Sequence, residues 1–182
     1  MRIRINRAPV LTLWAAVVAE RLGHDRAAAL TFGRAVAGFA AYAKAKRLGL
    51  AEESRDSPAQ RRAKAKRETA EIMGRSIPIA KTKDGVRALD ADGKPINPAG
   101  VDRYLDSKFG DGLVPAREAM TALAASMTTA ELPVHAFSLY EDFRPTVPEG
   151  VKGWGAAGEL NTDKIRSAKP ATSFPRGRAK SG

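Results

Sequence analysis

The sequence predicts a mainly α fold: a helical bundle-like domain with a small β-hairpin and a disordered basic C-terminal tail. Three observations carry this expectation. Apolar residues recur at three- and four-residue spacing through several long segments. Those segments tend to open on a capping residue or proline and to close on glycine. Between them, residues 77–90 hold short β-prone runs around Lys83-Asp84-Gly85.

The first helix is expected over residues 9–22. Pro9 suits its first turn. Val10, Leu11, Trp14, Val17, Val18 and Leu22 share a face, and Gly23 ends it. Asp25 caps a second helix reaching about residue 48, with Gly49 after it. Its apolar stripe is Ala29, Phe32, Val36, Phe39 and Ala43. Gly33, Ala37, Ala40 and Ala41 are small enough for close approach by a partner helix. Lys44, Lys46 and Arg47 complement the dipole at its end. Residues 50–57 read as a polar linker. Ser57, Pro58 and Gln60 then combine an N-cap, a first-turn proline and a capping box. This third helix is expected to run to about Met73, with Gly74 as its stop.

Strands are expected over residues 77–82 and 86–90, with a second turn at Asp92-Gly93. Pro78 and Pro95 should keep these strands short or place them at edges. Asn97 and Pro98 open a helix whose face is Val101, Tyr104, Leu105 and Phe109. Another helix spans residues 115–127 with Met120, Leu123, Ala124 and Met127. A further one spans 130–143, with Thr128 and Glu131 as a capping box and Leu132, Ala136, Leu139, Tyr140 and Phe143 toward the core. Residues 144–161 are rich in Pro and Gly, and 161–169 form a short helix. The organisation is thus a helical hairpin over 1–49, a basic linker helix over 50–76, a β-hairpin with helices over 77–168, and a disordered tail over 169–182.

The formal net charge is +11, from 31 Lys and Arg against 20 Asp and Glu. It is unevenly placed. Residues 1–87 carry a net +11, residues 88–165 a net −5, and residues 166–182 a net +5. Such segregation suits an anionic partner, or attraction between the halves of the chain. The densest cluster is Arg61, Arg62, Lys64, Lys66 and Arg67, interleaved with alanines that favour helix but cannot build a core. Arg176, Arg178 and Lys180 repeat the theme in the tail.

Other chemistries are excluded or weak. Without cysteine there is no disulfide, thiolate metal site or cysteine nucleophile, and two histidines cannot make a multi-histidine metal site. Asp90-Ala91-Asp92-Gly93 lacks the outer ligands of a calcium loop and reads as a turn. No phosphate-loop, hydrolase or metalloprotease signature is present, so no catalytic residue and no cofactor are assigned. The basic start and apolar run of residues 1–19 are interrupted by Glu20 and Arg21, which argues against a signal peptide, and no run of 18 apolar residues exists. The expected location is cytoplasmic, with no membrane association.

Residues 10–48 also admit a helix-turn-helix, with Gly23 in the turn and Arg26, Thr31 and Arg34 as base readers. A plain αα-hairpin is the simpler reading. Trp154 either pins its loop to the core or offers a stacking face.

The stretch from Arg7-Ala8-Pro9-Val10 to Arg21-Leu22-Gly23, and that from Leu139-Tyr140-Glu141 to Gly153-Trp154-Gly155, resemble an uncharacterised bacterial protein family with no assigned function. The resemblance spans most of residues 7–168 and implies a bacterial, soluble protein. The function expected from the residues is accessory nucleic-acid binding. Arg61, Arg62, Lys64, Lys66 and Arg67 would contact phosphates, and Arg176, Arg178 and Lys180 would add a flexible second contact. The alternative is a helical protein–protein interaction module, with the Gly33 and Ala37 face packing on a helical protein or a second copy as a homo-oligomer.

Overall fold

Alternation of Arg and Ile at the start of the chain builds a strand, because side chains of period two point to opposite faces. In the computed structural model, which describes residues 1–50, 56–151 and 155–171, this is β1 (Arg2–Ile5), with Ile3 and Ile5 buried and both arginines exposed. It pairs antiparallel with β5 (Gly158–Asn161) in a two-stranded sheet. The N-terminal ammonium donates to Thr162 Oγ1 at 3.0 Å, and Thr162 N–H donates to Met1 O at 3.0 Å. Thr162 opens α7 (Thr162–Ser167), whose N-cap Asn161 accepts from Asp163 N–H.

Helix α1 (Arg7–Arg21) is the centre of the molecule. The sequence analysis expects one apolar face, yet every residue from Pro9 to Ala19 is buried. The reason is its neighbours. It is packed by α2 (Arg26–Arg47), α4 (Pro98–Phe109), α5 (Leu113–Ala125), α6 (Glu131–Phe143) and β2 (Thr69–Ile72). Ala15, Ala16 and Ala19 keep those partners close. Trp14 Nε1 donates to Ala136 O at 2.8 Å, and the Trp14 ring meets Phe143 edge-on at 5.4 Å. Buried apolar side chains from Ile3 to Ile165 form one continuous cluster.

The α1–α2 hairpin forms as expected. Gly23 takes φ +104° in the turn, and the Asp25 side chain accepts from Ala28 N–H. Gly33 lies against the backbone of α1. A methyl group there would run into Thr12 O and lie 3.1 Å from Ala16 N. Gly33 and Ala37, the small-residue face expected to meet a partner, are therefore buried within the chain itself. The helix-turn-helix alternative fails as well. Thr31 is fully buried; its hydroxyl donates to Ala28 O at 2.7 Å and accepts from Ala88 N–H at 2.9 Å. Arg26 pairs with Asp102 at 3.1 Å, and Arg34 lies over the Tyr104 ring at 5.2 Å. Of the three, only Thr31 is covered, where α2 meets β4 (Gly85–Ala88), while Arg26 and Arg34 stay exposed and are engaged by Asp102 and Tyr104 of α4.

The third helix, α3 (Pro58–Ala65), is shorter than expected. Residues 69–72 form β2, because Met73 (φ +52°) and Gly74 (φ +74°) make a two-residue left-handed turn into β3 (Arg75–Thr82). Gly74 therefore ends a strand, not a helix. Ile72 and Ile77 then reach the core, burial that a longer α3 would forgo. The expected hairpin at Lys83-Asp84 joins β3 to β4, giving a three-stranded meander in the order β2-β3-β4.

Pro78, expected to keep its strand short or at an edge, lies in the middle strand of the three. It is tolerated because Ile79 N–H, not Pro78, donates to β2 through Glu68 O. On the β4 side Pro78 only accepts, from Leu89 N–H. Helices α4, α5 and α6 follow the expected bounds within a few residues. Asn97 accepts from Ala99 N–H, and Thr128 and Glu131 exchange reciprocal bonds of 3.0–3.1 Å.

Two measurements test this packing. Gly33→Ala is expected to destabilise the protein by about 3 kcal/mol in urea unfolding, since the added carbon meets backbone on both sides. Gly38→Ala, on the same helix with open space around it, is expected to stabilise by about 0.5–1 kcal/mol. Tyr140 donates its hydroxyl proton to Arg7 O at 3.2 Å, and burial pushes its pKa up from 10 to about 12. The folded state thus favours the neutral phenol. That stabilisation is complete below pH 10 and is lost as pH rises toward 12. Melting curves between pH 9 and 12 are expected to fall less steeply for Tyr140→Phe than for the parent.

Candidate nucleic-acid interface

Local rules alone explain α3. Ser57 Oγ accepts from Gln60 N–H at 3.2 Å, while Ser57 N–H donates to Gln60 Oε1 at 2.7 Å, and Pro58 occupies the first turn. No residue of the helix is buried. Its stability therefore comes from capping and from alanine, not from a core. Lys66 is the C-cap.

At about 100° per residue, Arg61, Arg62, Lys64 and Lys66 fan over somewhat more than half the circumference of α3. A helix that packs on the fold must give up one side to apolar contact, and this one gives up none. The five expected cations divide accordingly. Arg61, Arg62 and Lys66 are exposed and make no ion pair among the described residues. Lys64 Nζ holds Asp56 Oδ2 at 2.6 Å. Arg67 is half-buried, its guanidinium folded onto the turn at Gly93, where a Cβ would lie 2.6 Å from Nη2. Arg67 thus lies against the turn that follows β4 and faces solvent less than the other four.

Among the described residues no ion pair joins the acidic 88–165 stretch to this helix. Cross-pairs between the two regions lie elsewhere. They join Arg26 to Asp102, Arg2 to Glu159 at 3.5 Å, and Glu20 to Arg117 at 2.5 Å. Arg176, Arg178 and Lys180, together with the rest of the expected disordered tail from 172 on, lie outside the described residues, as does Trp154.

One feature of α2 escapes sequence reading. Phe39 and Ala43, expected in the core stripe, are exposed, and no residue from Gly38 to Leu50 is buried. Helical periodicity continues through this half of α2 and gives no sign that the covering elements have stopped. A length comparison holds the only hint: the helix has 22 residues and its partner α1 has 15.

Elsewhere the arrangement offers little for catalysis. The His24 ring packs edge-on against Phe32 at 4.8 Å. Glu131 is bonded to Thr128, which holds its carboxyl below the usual carboxylate range. Asp90 Oδ1 accepts from Asp92 N–H and Lys94 N–H in the expected turn. Among the described residues no helix is long and apolar enough to cross a membrane.

Ser57→Ala removes one half of the capping box. It is expected to cost α3 about 1 kcal/mol, seen as faster amide hydrogen exchange at residues 61–65 with the core unchanged.

No protein-family model, curated protein or solved structure matches the chain.

Proposed function

We propose that this protein binds nucleic acid as an accessory factor, contacting phosphates through α3. The observation that carries the reading is the exposure of Arg61, Arg62 and Lys66 on a helix with no buried residue. Such a helix contributes nothing to the core, so its sequence is free to serve a surface role. At about 100° per residue Arg61, Arg62 and Lys66 share one broad side of the helix, which suits successive phosphates of a polyanion. Each phosphate contact releases condensed counterions, so affinity falls with salt by about 0.7–0.9 per contact on logarithmic axes. The formal charge of +11 adds long-range steering toward such a partner. Lys64 joins the contact when phosphate displaces Asp56, an exchange of one exposed pair for another. The tail cations Arg176, Arg178 and Lys180 supply further phosphate contacts in this reading.

The test is a salt titration with a labelled oligonucleotide. Arg61→Gln/Arg62→Gln/Lys66→Gln is expected to reduce the salt slope by about two to three and to weaken binding at least tenfold at low salt. Equal affinity and slope for parent and triple variant would overturn the reading. All three residues are exposed, so the variant is expected to melt at the parental temperature.

A further inference from the structure

The sheet of β1 and β5 has an open edge. In an antiparallel ladder, residues that exchange hydrogen bonds alternate with residues whose backbone groups point away. Thr162 N–H donates to Met1 O, so the bonded pairs down β1 are Ile3 with Leu160 and Ile5 with Gly158. Arg2 and Arg4 therefore turn their N–H and C=O groups outward. On β5, Glu159 stands opposite Arg4 and also turns its groups outward, where they are bonded to Thr146 at 3.0 and 3.1 Å. The outward groups of Arg2 and Arg4 meet no such neighbour. Among the described residues no hydrogen bond reaches them. The outer edge of β4, by contrast, is closed at Ala88, which is bonded to Thr31 Oγ1 and to Ile96 N–H.

Side chains decide what fits this edge. Arg2 and Arg4 are exposed, while Ile3 and Ile5 face the core. A strand laid beside Arg2 and Arg4 sets its own alternate residues next to two guanidinium groups. The closed side of β1 already shows the matching chemistry. There Glu159 lies opposite Arg4, and its carboxylate is 3.5 Å from Arg2 Nε. Arg4 makes no ion pair among the described residues. β1 of a second copy would set arginine against arginine, which guards the edge against self-pairing. β2 of a second copy offers one carboxylate, Glu71, already held by the Ser76 hydroxyl. A nucleic acid answers the guanidinium groups but has no alternating N–H and C=O groups for the backbone.

We infer that the open edge of β1 is a docking site for an extended acidic segment of another protein, which adds a strand beside Arg2 and Arg4 and alternates carboxylate with apolar side chains. Main-chain bonds supply the pairing, and the two arginines select its charge. The inference stands on β1 alone and is independent of the phosphate reading of α3.

The experiment measures fluorescence anisotropy of a short labelled peptide that alternates Glu and Val, mixed with the full chain. The parent is expected to bind it, with slowed amide hydrogen exchange at Arg2 and Arg4. The same peptide N-methylated at its glutamates keeps its charge but loses the donors that face the edge, and is expected not to bind. Arg2→Glu/Arg4→Glu is expected to weaken binding of the Glu–Val peptide about tenfold or more and to bind the matching Lys–Val peptide instead. Arg4→Pro removes an outward N–H that the β1–β5 ladder does not use, and is expected to lose the peptide with β1 still paired.

No binding of the Glu–Val peptide by the parent would overturn the inference. Equal binding of the N-methylated form would overturn it too, leaving attraction by charge alone. Binding lost in the α3 triple variant and kept in the charge-reversed one would place the peptide on α3 instead. A self-associated parent, by light scattering, that Arg4→Pro converts to monomer would identify a second copy as the occupant. Oligonucleotide binding that charge reversal abolishes, with no peptide bound by the parent, would assign the two arginines to phosphate. Both side chains are exposed, so circular dichroism is expected to show the parental fold in every variant.

Discussion

The approach of α2 to α1 at Gly33 sets the rest of the structure. With no side chain at that position, the α2 backbone settles against Thr12 and Ala16 of α1. This closeness lets α1 be enclosed on all sides. The short side chain of Ala16 admits α2, while Trp14 reaches Ala136 and Phe143 of α6. Burial of apolar area drives that enclosure, at roughly 25 cal/mol per Å². The close backbone contact decides which surfaces are left to bury.

Polar groups inside this packing are matched. Thr31 joins α2 to the end of β4, Trp14 spends its indole N–H on a carbonyl of α6, and Tyr140 spends its hydroxyl on the start of α1. No buried side-chain nitrogen or oxygen among the described residues lacks a partner. An unsatisfied group in such a setting costs about 1–3 kcal/mol, so these three bonds hold the elements in one arrangement. The exposed ion pairs contribute far less, on the order of 0–1 kcal/mol each. Attraction between the basic and acidic parts of the chain is therefore a minor force in folding, and the charge of α3 is available for other uses.

Core and exposed segments divide along the chain as a result. The core is built from α1, the first half of α2, the later helices and the strands. The second half of α2 and all of α3 hold no buried residue, and α3 carries the exposed cations on which the proposed phosphate contact rests. Substitutions in these two regions change the surface without touching the packing around Gly33.

Much of this was legible in the sequence wherever the controlling interaction is local. Caps at Asp25, Ser57, Asn97 and Thr128, the left-handed glycine at 23, and the turn at Lys83-Asp84 each depend on a few neighbouring residues, and each forms where those residues stand. The charge cluster and the start of its helix were equally readable, since the capping box at Ser57 sets them; its end was not, because residues 69–72 leave the helix for β2. What only the tertiary structure decided are the contacts across long separations. β1 needs β5, more than 150 residues away, to become a strand. The 69–72 segment becomes a strand because β3 returns beside it. Phe39 is exposed where its periodicity predicts burial, because α1 ends before α2 does. Arg67 is drawn from solvent onto the turn at Gly93. Periodicity tells which side of an element is apolar; only the neighbours brought by the fold determine whether that side is covered.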